Sequence, residues 1–150
     1  MKVSIEKQFR DQSSRFRVVF ALLALCFSFL ADVHASPDSW MKVSDEIEKE
    51  LNASVGTYEK GKKSEAMETV ADAYFGIFEG EKANMEIAVR RFINLKKSSE
   101  LEKGFADLRK AIKEGIKASD FKKQVSNLIE AVKAAAKELD RKGVTVSSEF

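Results

Sequence analysis

From Trp40 to Leu139, apolar residues return at steps of three and four, and this periodicity restricts the fold more than any other feature of the chain. Residues three or four apart share one face of an α-helix, so each run describes a helix with a single buried stripe. Trp40, Val43, Ile47, Leu51, Val55 and Tyr58 form the first stripe; Met67, Val70, Tyr74, Ile77 and Phe78 form the second. A shorter third runs through Met85, Ala88, Val89, Phe92 and Ile93. Leu101, Phe105, Leu108, Ile112 and Ile116 make the fourth, and Phe121, Val125, Leu128, Val132, Ala135 and Leu139 the fifth. With one Pro and seven Gly in 150 residues, there are too few turn formers for a β fold.

Helix boundaries follow from capping chemistry. Asp38 or Ser39, Ser64, the run Ser98-Ser99-Glu100 and the pair Ser119-Asp120 read as helix starts, because their side-chain oxygens can accept from orphan backbone N–H groups. Gly61, a point near Gly80 and Gly143 read as stops. About two residues separate the fourth and fifth helices, which forces an antiparallel hairpin. The expected fold is therefore all-α: a four-helix, up-and-down bundle over residues 36–143, with one extra short helix or one helix broken near Gly80 to Asn84. Residues 144–150 read as a frayed C-terminal tail.

Ahead of this domain lies a different kind of segment. Lys2, Lys7, Arg10, Arg15 and Arg17 precede an apolar run from Val18 to Ala31, and Val33-His34-Ala35 then offers a small residue at a cleavage position. That order is the order of a secretory signal peptide, residues 1–35, and places the domain in the periplasm or outside the cell. The apolar run is shorter than the ~20 residues that span a bilayer, although an uncleaved anchor is the alternative. Cleavage after Ala35 removes Cys26 and His34, the only Cys and the only His, with five basic and three acidic residues; 21 of each sign remain. A neutral domain carries no electrostatic footprint for nucleic acid.

The remaining residue types exclude much chemistry. Without His or Cys there is no c-type haem attachment, no His-ligated haem and no Cys/His zinc site. A cysteine nucleophile, a Ser-His-Asp triad and the Glu-x-x-His pairs of di-iron bundles are excluded on the same ground. The glycines are scattered singly and form no phosphate-cradling loop. The chain is thus expected to be neither an enzyme nor a haem carrier. Carboxylates are what remain. Glu65, Glu68 and Asp72 share a helix face, Glu79 lies one heptad beyond Asp72, and Glu79, Glu81 and Glu86 crowd the break beside Tyr74, Asn84 and Met85. Oxygen ligands suit hard cations such as Fe³⁺, Ca²⁺, Mg²⁺ or Mn²⁺. An acidic helix stripe is equally the mark of a solvated face, and the spacing leaves both readings open.

One stretch carries a resemblance. It comprises Tyr58-Glu59-Lys60-Gly61-Lys62, Ala66, Ala71-Asp72-Ala73-Tyr74-Phe75, Phe78-Glu79, Met85-Glu86 and Val89-Arg90, followed by Leu101-Glu102 and Phe105-Ala106-Asp107-Leu108-Arg109. This pattern, spread over about Val43 to Leu139, resembles the N-terminal extracytoplasmic domain of bacterial iron permeases of the Ftr/EfeU type. In that family a signal peptide and a helical periplasmic domain precede a multi-span membrane permease. The resemblance implies a role in iron transport, with Glu79 and Glu86 as iron contacts and Fe²⁺ or Fe³⁺ as the metal; Glu81 and Asp72 join them as metal candidates from the acidic spacing. It implies as partners the permease membrane domain or other iron-uptake components. The family's Arg-Glu-x-x-Glu transport motif is absent, as is any apolar span after the first 35 residues, so this chain does not itself carry iron across a membrane. The alternative is a metal-free helical interaction module docking a membrane or periplasmic partner, which an exposed apolar patch around Phe75, Phe78 and Phe92 would favour.

Overall fold

The computed structural model describes residues 39–80 and 83–146. Residues 1–38, which include the segment expected to be a signal peptide and the candidate cap Asp38, lie outside the described residues, as do Glu81, Lys82 and the last four residues of the tail. The elements are α1 (Trp40–Glu59), α2 (Lys63–Ala71), a π-helical segment (Asp72–Phe78) running on from α2, α3 (Met85–Phe92), α4 (Leu95–Glu114) and α5 (Ala118–Arg141). Among the described residues there is no strand, and no helix is long and apolar enough to cross a membrane.

Helices α1, α2, α4 and α5 close a ring of neighbours: α1 packs on α5 and α2, α2 on α4, and α4 on α5. That ring is the four-helix bundle. Short α3 is the extra element, packed chiefly on α4. Antiparallel pairing of α1 with α5 is visible at both ends. At one, the Tyr58 hydroxyl donates to the Ile116 carbonyl (2.7 Å) just ahead of α5, and its ring meets Phe121 at 4.7 Å. At the other, Asp140 near the end of α5 accepts from the Trp40 and Met41 N–H groups at 2.8 and 3.2 Å. Those are donors that the first turn of α1 leaves without helical partners, and a carboxylate there also faces the positive end of the helix dipole.

The five apolar stripes converge on one core. Trp40, Phe78, Phe105 and Phe121 are its largest fully buried side chains, with Ile47, Leu51, Leu108, Ile112 and Leu139 between them. Residues at the ends of the second, third and fourth stripes, including Tyr74, Ile77, Phe92, Ile93 and Ile116, pack partly buried against it.

Several helix starts differ from the sequence reading. Ser39 does cap α1, accepting from the Lys42 N–H at 3.3 Å. Ser64, however, lies inside α2. The end of α1 explains this: Gly61 adopts φ +77°, and the Lys62 and Gly61 N–H groups bond back to the Thr57 and Tyr58 carbonyls, a Schellman closure. Lys62 is consumed by that closure and α2 starts at once, leaving no room for a side-chain cap. Likewise α4 starts at Leu95, because Asn94 accepts from the Lys97 N–H at 2.7 Å, and Ser98 becomes an internal position. Lys117, not Ser119 or Asp120, occupies the N-cap of α5 and makes no side-chain bond there. The first tail residues are packed: the Val144 carbonyl accepts the Trp40 indole N–H at 2.7 Å, and Val144 and Val146 lie against the core.

Candidate functional site

The break between the second and third stripes is built from unusual backbone. The Glu79 N–H reaches the Tyr74 carbonyl at 2.8 Å, a bond across five residues that marks π-helical winding. Such winding is rare and often lies at functional positions. Gly80 must be glycine for a steric reason: a Cβ there would fall 2.1 Å from the Gly76 carbonyl oxygen. The chain then reverses through Asn84, which takes the left-handed conformation at φ 51° before α3 begins.

This winding sets Tyr74 over the bundle edge. Its ring packs 5.2 Å from Phe105 and 4.8 Å from Phe75, and its hydroxyl donates to Glu79 Oε1 at 2.6 Å. The Arg109 guanidinium lies 5.5 Å from the Tyr74 ring and 5.6 Å from the Phe75 ring, a cation–π arrangement. Phe75 itself is 57% exposed. Beside this group, Glu86 is buried. Its Oε1 pairs with the Arg90 guanidinium at 2.5 Å, one helical turn along α3, and accepts from the Ser98 hydroxyl of α4 at 2.7 Å. The same hydroxyl lies 2.9 Å from Glu102 Oε1, which is 3.6 Å from Arg90. One hydroxyl has one proton, so Ser98 serves only one of the two carboxylates at a time, and the single positive charge of Arg90, set against both, offsets one of their two negative charges.

The phenol of Tyr74 is pushed above the ordinary tyrosine range. Burial is the main cause, followed by its hydrogen bond to Glu79 and the negative charges of Glu79, Glu102 and Glu86. The folded protein therefore holds this proton more tightly than the unfolded chain. Unfolding free energy is accordingly expected to fall as pH rises above 10.0, the ordinary tyrosine value, and to fall less steeply in Tyr74→Phe. Denaturant unfolding across alkaline pH measures this; identical slopes in the two proteins would remove Tyr74 as the cause.

Of the four carboxylates expected as a site, Glu79 and Glu86 both reach this corner, Glu79 exposed on Tyr74 and Glu86 buried on Arg90 and Ser98. Asp72 is exposed at the first position of the π segment and is not bonded to the cluster. Glu81 lies outside the described residues. Glu65 pairs with Lys62 on the solvated face of α2. Glu102 and Arg109, which as a sequence look like routine helix surface, belong to the corner; so does Ser98. Spacing along one helix gave no sign of them, because they arrive from α4. As a donor set, carboxylates and a phenol fit a hard cation such as iron. Among the described residues, however, no group of three or more His, Cys, Asp or Glu is placed to hold a metal ion.

No protein-family model matches the chain, and no significant similarity is found to a curated protein or a solved structure.

Proposed function

We propose that the chain is an extracytoplasmic accessory domain of an iron-uptake permease system and that the Tyr74–Glu79–Glu86 corner is its working surface. One observation carries this reading. Those residues of the resemblance to Ftr/EfeU-type permeases that lie on the π segment, just after it, on α3 and on α4 meet in space: Tyr74 with Glu79, Phe105 and Arg109, and Glu86 with Arg90 beside Glu102. Residues kept together for one task would be arranged in this way.

Iron is then cargo. Glu79 and Glu86 are its contacts, Asp72 and Glu81 are further candidate carboxylates, and the permease membrane domain or another uptake component is the partner. Calorimetric titration with ferrous iron under anaerobic conditions, and with chelated ferric iron, tests the reading. Saturable binding is expected with one form and is expected to vanish in the double variant Glu79→Gln/Glu86→Gln, with helicity by circular dichroism unchanged. Binding that survives the double change would move the site elsewhere.

A second reading, a metal-free docking module, is favoured by a specific observation. Arg90 already neutralises Glu86, whereas Phe75 is largely exposed beside Arg109. No heat with either form of iron would select this reading.

A further inference from the structure

The outer face of α4 carries a charge pattern that the corner does not use. Lys96, Glu100, Lys103, Asp107, Lys110 and Glu114 follow at steps of four and three, so all six fall on one narrow stripe of the helix, and all are exposed. Their signs alternate without exception. Within the helix they form three ion pairs, Lys96–Glu100, Lys103–Asp107 and Lys110–Glu114. In each pair the lysine precedes the acid by four residues, the less favourable orientation for an α-helix. Exposed pairs of this kind are individually weak, and their charges remain available to a partner.

Alongside the stripe runs a groove between α4 and α5 of about 440 Å³. Leu108, Ala111, Ile116, Leu128 and Ala131 line its floor, and its α5 rim, Gln124 and Asn127, is uncharged. A ligand lying over this groove meets apolar surface and charge from α4 alone.

We infer that the occupant is a second copy of this chain, its α4 laid antiparallel across the first. The argument is charge complementarity. Reversing a stripe of six alternating charges turns every plus into a minus, so the stripe is its own complement. In one register Lys96 faces the second copy's Glu114, Glu100 its Lys110, and Lys103 its Asp107, with the three reciprocal pairs completing a two-fold interface. The two-fold axis passes near the level of Phe105. Each groove is covered by the partner helix, and the uncharged α5 rim sets no charge against it.

Sedimentation equilibrium tests this on residues 37–150, the unit that holds the whole described core. The parent protein is expected to form a dimer whose dissociation constant rises by about tenfold or more from low to high salt. Two variants decide the interface. Lys96→Glu/Lys103→Glu/Lys110→Glu makes the stripe wholly acidic, and Glu100→Lys/Asp107→Lys/Glu114→Lys makes it wholly basic. Each is expected to be monomeric alone, and an equal mixture is expected to form a heterodimer, which a misfolded variant cannot do. A parent protein that stays monomeric to its solubility limit overturns the proposal. So does a dimer that persists in either variant, or a mixture of two folded variants that does not associate.

Discussion

Phe105→Ala is expected to lower stability by about 4 kcal/mol, a drop in Tm on the order of 15 °C for a domain of this size. Phe105 is fully buried on α4, and its ring meets Phe78 at 5.3 Å and Tyr74 at 5.2 Å. Truncation removes apolar transfer energy and opens a cavity in a bundle whose neighbouring helices are tied at both ends. The effect reaches the corner as well. Water entering beneath Tyr74 relieves the burial that is the main reason its phenol resists ionisation, so tyrosinate absorbance is expected to appear at lower pH than in the parent. Thermal unfolding and an absorbance pH titration read the two consequences separately. A loss below about 1 kcal/mol would mean that the corner collapses onto the gap, and an unmoved titration would mean that Tyr74 owes its shift to the carboxylates alone.

Trp40→Ala is expected to cost a similar amount, about 4 kcal/mol, by a different route. Trp40 is fully buried and opens α1, and its indole N–H donates to the Val144 carbonyl at 2.7 Å. The first tail residues are thereby held against the core, next to the bonds from the Trp40 and Met41 N–H groups to Asp140. Trp40→Phe separates the contributions: it keeps most of the apolar bulk, leaves the Val144 carbonyl without that donor, and is expected to cost nearer 1 kcal/mol. Urea denaturation of both variants measures the difference. Equal losses would place the whole effect in the hydrogen bond rather than in packing. The Tyr74 titration is expected to stay at the parent value in both, since the rings around Tyr74 belong to Phe75, Phe78 and Phe105.

A good part of the candidate site was legible along the chain, and the limit has a physical cause. Glu79 and Glu86 stood out because they flank the break near Gly80 to Asn84, where acidic residues crowd between the second and third stripes. Arg90 was legible as a partner of Glu86 because four residues is one helical turn. Glu102, Ser98 and Arg109 were not, since their meeting with α3 and Tyr74 depends on how far α4 is slid and rotated against its neighbours. Capping misled for a related reason. Ser98 has the chemistry of a cap, yet Asn94 makes the cap earlier, and Leu95 in the first turn is exposed and so lies outside the apolar stripe that marks α4.

What the sequence by itself determined is the set of helices and the face each one buries, because a 3.6-residue period converts spacing directly into burial. What only the tertiary structure decided is the π-helical winding of Asp72–Phe78, the ring of four helices with α3 set on α4, and the polar corner drawn from three elements. Periodicity says which side of a helix avoids water. It carries no information about which other helix lies across that side or at what register, and the contacts that bring α4 to the corner depend on both.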